Sequence, residues 1–217
     1  MRYGRAVSAF FAILGGPGCA LLHAAPQTGV LSSSWQFEFK FYDPQRIALR
    51  LPGDDHPTTF WYMLFEVTNN TGEDREFYPS FRLVTDTLQV VEGGADISPG
   101  VYDAIITRHK AEFPFLAPPT KVTGLLLQGE ENARASMAVF RAFNPEASGF
   151  TIYVSGLSGD IQRVANPSFD TKQPESESNA RSFILRRTLA VAYDLPGDST
   201  TRDRAVPIRR NRQWVMR

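Results

Sequence analysis

Thiols are almost missing from this chain of 217 residues: the single cysteine, Cys19, lies in an apolar N-terminal segment. The remainder therefore has no disulfide, no cysteine-ligated zinc and no thiolate nucleophile. Histidine is nearly as scarce. Of three, His23 shares the N-terminal segment, which leaves His56 and His109 for acid–base or metal chemistry. No sign of charge is in excess, since 23 basic residues balance 23 acidic ones. Loss of Arg2 and Arg5 with a leader leaves 21 against 23, a net of −2, so no strong pull toward nucleic acid or anionic lipid is expected. Glycine-rich phosphate loops, zinc spacings and a dinucleotide fingerprint are also absent, so no cofactor is expected.

What is present begins with a leader. Arg2 and Arg5 precede an apolar run, Ala6 to Leu14, which Gly15, Gly16 and Pro17 break before small residues follow. This is the layout of a secretory signal peptide over residues 1–25, and it predicts an exported protein: periplasmic, envelope-associated or extracellular. Ala24-Ala25 and Gly18-Cys19-Ala20 both offer small residues for cleavage. Cys19 also fits a lipidated cysteine, although Gly16-Pro17-Gly18 lacks the aliphatic residue usual before one. An uncleaved anchor is the remaining reading, against which stands the short, interrupted run.

Beyond residue 26 the dominant signal has a period of two. Trp35, Phe37, Phe39 and Phe41 alternate with Gln36, Glu38 and Lys40, and after Pro44 the alternation resumes at Ile47, Leu49 and Leu51. A strand interrupted at a proline is expected to lie at an edge and to change partners there. Phe60 to Val67 is apolar on both faces except at Glu66, which predicts a strand covered on both sides. Further strand patterns occupy 77–84, 88–91, 122–127, 135–140, 150–154 and 183–193. One helix is expected, Val101 to His109, where Tyr102, Ile105, Ile106 and His109 share a face. Residues 166–180, rich in Pro, Ser, Asn and Glu, read as an exposed loop. Short strands with turn signals between them and almost no helix predict an all-β sandwich. It spans 26–198, followed by an arginine-rich tail over 199–217.

Trp61 to Glu92 resembles immunoglobulin-like domains of exported bacterial proteins and lipoproteins. An aromatic strand enters a Val-Thr-Asn-Asn-Thr-Gly turn at Val67 to Gly72. A Phe-x-Pro-x-Phe-x-Leu strand follows at Phe77 to Leu83, then a Thr85-Asp86 turn, and Ala138 to Phe140 with Phe150 to Leu157 resembles the late strand pair. The resemblance implies an immunoglobulin-like β-sandwich of about eight or nine strands with one short crossover helix. It implies no shared catalytic set, and Leu88 stands where the pattern has a glycine.

Several residues offer chemistry. Asp54, Asp55 and His56 could bind a divalent ion but lack the alternating oxygen ligands of a calcium loop. His109 with Glu112 could form an acid–base pair, although a histidine at a helix C-terminus is favoured by the macrodipole alone. Gly156 to Asp160 lacks the second glycine and the following helix of a serine nucleophile elbow. Glu66, inside an apolar strand, is expected to form a structural ion pair with Arg82 or another arginine, the alternatives being an exposed edge position and a functional acid. Arg202, Arg204, Arg209, Arg210, Arg212 and Trp214 lie in a tail of net charge +5 and are the candidate partner-binding residues, the plainer reading being a terminal strand or a disordered end whose arginines stay in water. The leading expectation is a non-catalytic binding or scaffolding protein of the cell envelope, whose partner is another exported protein or envelope component. The alternatives are a polyanion or envelope-surface binder acting through the arginine tail, and a carboxylate- or metal-dependent hydrolase at Asp54, Asp55 and His56.

Overall fold

The computed structural model describes residues 35–217 except Asp54. The expected signal peptide and Cys19 lie outside the described residues.

Two antiparallel sheets face each other. In the first, β3 (Thr58–Asn69) has β8 (Gly129–Arg141) on one edge. On its other edge lie β1 (Glu38–Phe41) and β2 (Gln45–Leu49) in succession, so the chain interrupted at Pro44 stays on one partner. The expected change of partner happens earlier. Phe37 N–H donates to Leu157 O at 2.9 Å, and Gly159 N–H donates to Trp35 O at 3.1 Å, before β1 joins β3. Pro44 can end a run of ladder bonds without moving the strand, because an edge strand needs only every second N–H.

The second sheet runs β6 (Val90–Glu92), β5 (Ser80–Thr85), β9 (Gly149–Ser155), β11 (Ser182–Asp194) and β12 (Ile208–Met216). β10 (Ile161–Ala165) continues along β11 beyond the end of β9. The fold is thus an all-β sandwich, as expected, with twelve strand segments among the described residues where eight or nine were foreseen. Interrupted ladders and a short pair, β4 (Arg75–Phe77) with β7 (Gly124–Leu126), account for the excess. The segment 199–217, expected as a tail, supplies β12. Eight of its residues register against β11 with one irregularity at Ala192/Tyr193, because their backbone groups complete the open edge of that strand.

Side-chain alternation along β3 serves two cores. Trp61, Met63, Phe65 and Val67 point between the sheets, where they meet Ala138 and Phe140 of β8 and Ile152, Val154, Leu189 and Val191 of the second sheet. Phe60, Tyr62 and Leu64 point the other way, onto α1 (Pro99–His109), with Met137 and Val139. Helix α1 buries Val101, Ile105 and His109, a stripe with a spacing of four. A short second helix, α2 (Pro119–Val122), lies in a stretch expected as loop and strand. No helix among the described residues is long and apolar enough to cross a membrane.

The Asn69–Gly72 turn is tied down by Asn69, whose buried Nδ2 donates to Glu73 O and Leu126 O, each at 2.8 Å. The β5–β6 hairpin turns through Asp86, Thr87 and Leu88, with Leu88 N–H donating to Thr85 O at 3.0 Å. Leu88 has φ of 64° and is exposed, so it occupies the left-handed position that glycine fills without strain. Replacing Leu88 by Gly is expected to raise stability by about 0.5–1 kcal/mol, read as a higher urea midpoint at unchanged slope. A lower midpoint would show that the Leu88 conformation carries no strain.

Candidate interaction surfaces

The histidine of α1 is structural. Tyr62 Oη donates to Gln45 Oε1 at 2.9 Å, which leaves the Tyr62 oxygen to accept from His109 Nε2–H at 2.8 Å. Nδ1 faces Glu112 at 3.9 Å, beyond hydrogen-bond distance, and the Glu112 side chain is 77% exposed. Burial, together with the Arg108 charge, holds the His109 pKa below its ordinary value. A buried neutral imidazole inside a tyrosine–glutamine chain orders the α1 face of the sheet.

Glu66 is not deeply buried: its side chain is 33% exposed. It accepts from Tyr42 Oη at 2.5 Å and pairs with Lys40 Nζ at 3.2 Å, while Arg82, the expected partner, pairs with Glu92 at 2.6 Å. The separation follows from the layers, since Glu66 is on the α1 side of the first sheet and Arg82 is on the outer side of the second. The Gly156–Asp160 stretch is a turn that carries the sheet-to-sheet bonds at Leu157 and Gly159. Within it, Ser158 Oγ accepts from Asp160 N–H at 3.1 Å, and the nearly buried Asp160 carboxylate receives Arg187 Nη1 at 2.9 Å. Asp55 and His56 lie in an exposed loop, and Asp54 is outside the described residues.

The arginines of 199–217 do not converge. Arg209 Nε donates to Asp43 Oδ1 at 2.7 Å and its guanidinium lies 4.8 Å from the Phe41 ring, with Arg212 5.5 Å from the same ring. Arg210 lies on the other side of β12, on Asp194. Arg202 donates to the carbonyls of Gly197 and Glu146, both at 2.9 Å, within the 3₁₀ turn that also contains Arg204. Trp214 is half-buried beneath Arg187, 4.7 Å from its ring. Arg209 and Arg212 thus fasten the edge of the second sheet to Phe41 in the first.

A surface that sequence reasoning did not single out is the ribbon of β10 and the first half of β11. Ile161 faces Arg186, Arg163 faces Ile184 and Val164 faces Phe183. Ile161, Ile184 and Phe183 are each about half exposed, and Val164 more than a third. The two isoleucines and two arginines therefore alternate as a checkerboard on one face, with Val164 and Phe183 on the other. At the tip, buried Asn179 organises residues 166–181: its Oδ1 accepts from Asp170 N–H at 2.9 Å and its Nδ2 donates to Asp170 O at 3.0 Å. The Arg181 guanidinium covers Phe169 at 4.9 Å. The apolar, β-branched pattern of 183–193 signalled a strand, but nothing in it signalled that its first half lies beyond the sandwich.

Among the described residues, no group of three or more His, Cys, Asp and Glu side chains is placed to hold a metal ion. No family model, curated protein or solved structure matches the chain.

The unfolded chain takes up the His109 proton near pH 6.5, before the folded one does, so the stability His109 confers is whole above that pH and is lost as pH falls below it. The urea midpoint should therefore drop more steeply between pH 7 and 5 in the parent protein than in His109→Gln, and parallel profiles would refute the neutral, buried state. Replacing Arg187 by Leu removes the guanidinium from the nearly buried Asp160 carboxylate and should cost about 2–3 kcal/mol in denaturant unfolding. A loss below about 0.5 kcal/mol would show that the pair is an ordinary surface one.

Proposed function

We propose that this domain is a non-catalytic binding or scaffolding module of an exported protein, and that the β10–β11 ribbon is its contact with another protein of the envelope. The observation that carries the reading is the ribbon itself. A two-stranded ribbon is marginal in water on its own, yet this one leaves apolar side chains exposed on both faces and is closed by an ordered tip. Rigid scaffolds that hold a projecting apolar edge are suited to recognition rather than to turnover. The N-terminal layout of Arg2, Arg5 and an apolar run supports export, and the absence of cysteine after residue 19 is compatible with any redox compartment.

Charge sets the kind of partner. Arg163 and Arg186 flank Ile161 and Ile184, with no acidic side chain among the paired residues 161–165 and 182–186, so the complementary surface is apolar with acidic residues. The dispersal of Arg202, Arg209, Arg210 and Arg212, each already engaged, gives the polyanion reading no common face to act through.

A photo-crosslinking residue at Ile184 should capture a discrete partner in the envelope fraction, whereas one at Thr151, on the outer face of the second sheet, should not. Arg163→Glu with Arg186→Glu should reduce the Ile184 adduct at least about tenfold at unchanged thermal stability. Equal labelling from both positions, or none from Ile184, would overturn the assignment.

A further inference from the structure

We infer that the outer face of the second sheet holds a site for a phosphate monoester, bound by Arg82, Arg186 and Arg217 at the root of the β10–β11 ribbon. The inference goes beyond the binding role proposed above and does not rest on the ribbon, although Arg186 borders both.

Side-chain parity brings the three arginines together. On β5, β9 and β11 the core takes Leu83, Ile152, Val154, Leu189 and Val191, so Arg82, Tyr153, Ser155 and Arg186 point to the opposite face. Arg186 and Arg217 face each other at the end of the β11–β12 ladder. Arg186 N–H donates to Arg217 O at 2.7 Å, and Arg217 N–H donates to Arg186 O at 3.1 Å. Residues opposed in this way put their side chains on one face, and two like charges so placed repel. Their neighbours on that face, Ile161 beside Arg186 with Thr188 and Val215 one step along, carry no charge to offset them. Among the described residues neither Arg186 nor Arg217 has an ion-pair partner. The Arg217 guanidinium instead lies over the Tyr153 ring, 4.0 Å from its centre, and so reaches back across β11 toward Arg82, which is opposite Tyr153.

Between these long side chains the sheet surface is low. Ser80 and Ser155, opposite each other in register, and Thr188 on the next strand floor an open hollow of about 190 Å³ walled by the arginines and Tyr153. A water takes about 30 Å³, so the hollow admits a tetrahedral oxyanion with the first atoms of its ester. Its walls are accessible: Ser80, Arg82, Arg186 and Arg217 are exposed, and Tyr153 and Ser155 are half-buried. Thr188 is buried and its hydroxyl donates to Arg186 O at 3.0 Å, which leaves Ser80 and Ser155 as the hydroxyl donors. No carboxylate side chain lines the hollow, and of its arginines Arg82 alone is in an ion pair, with Glu92 at 2.6 Å. Three guanidinium charges less that of Glu92 leave a local charge of +2. A phosphate monoester carries about −1.5 to −2 at pH 7 and has three acceptor oxygens, which match that charge and two guanidinium forks with a hydroxyl. A carboxylate offers one charge and two oxygens, which a single guanidinium satisfies.

The test titrates the purified protein with glycerol phosphate by calorimetry, with glycerate as the carboxylate counterpart. A second arm measures sedimentation with phosphatidylcholine vesicles containing about one part in ten of phosphatidic acid. Arg186→Gln and Arg217→Gln should each weaken binding about tenfold or more at an unchanged urea midpoint. Arg141→Gln, an exposed arginine of the first sheet, should bind as the parent does. Arg82→Gln provides a third variant should either of the first two fail to fold. Binding of glycerol phosphate without vesicles assigns a soluble ester, and vesicle binding that requires Arg186 and Arg217 assigns a lipid headgroup. No binding in either arm, equal affinity for glycerate, or equal loss in Arg141→Gln would overturn the inference. If the ester fails to bind while Ile184 crosslinking persists, this site alone falls. If crosslinking fails while the ester binds, the ribbon alone is excluded.

Discussion

Between Phe60 and Val67 each successive side chain enters a different core. Trp61, Met63, Phe65 and Val67 close the space between the sheets, while Phe60, Tyr62 and Leu64 receive helix α1. A strand with two apolar faces must be covered twice, and the only regular helix of any length among the described residues supplies the second cover. The period of two in β3 and the spacing of four in α1 are two halves of one constraint. Polar groups that enter this region do so in bonded sets, as with His109, Tyr62 and Gln45.

The margins of the sandwich are handled differently. At one corner Phe41 lies under Arg209 and Arg212, and Asp43 takes the Arg209 guanidinium, so stacking and charge replace aliphatic packing where the sheets part. At another, β11 outruns the strands that cover it. Its second half lies between β9 and β12 and buries Leu189 and Val191, while residues 182–185 have only β10, Arg186 also exchanging backbone bonds with Arg217. The exposed apolar ribbon is a consequence of that difference in length.

Much of the fold was legible because alternation and burial are coupled locally. The run from Trp35 to Phe41, the doubly apolar stretch at Phe60 to Val67, the helix ending at His109 and the loop over 166–180 all follow from side-chain order. Leu88, out of place against the glycine of the resembled pattern, proved to hold a positive φ. Partner choice was not legible. Pro44 marked an interruption without a change of partner, and Glu66 found Lys40 and Tyr42 in place of Arg82. The arginines after residue 199 read as one basic cluster because they are close in sequence, but a strand sends neighbouring side chains to opposite faces.

By itself the order of residues determined the all-β class, the strand with two buried faces and the position of the helix, because each depends on a periodicity of only a few residues. Only the tertiary structure decided which strand edges are closed, which arginines are engaged and where apolar surface is left in water. Those outcomes depend on the relative lengths and registers of segments far apart in the chain, which no local pattern encodes.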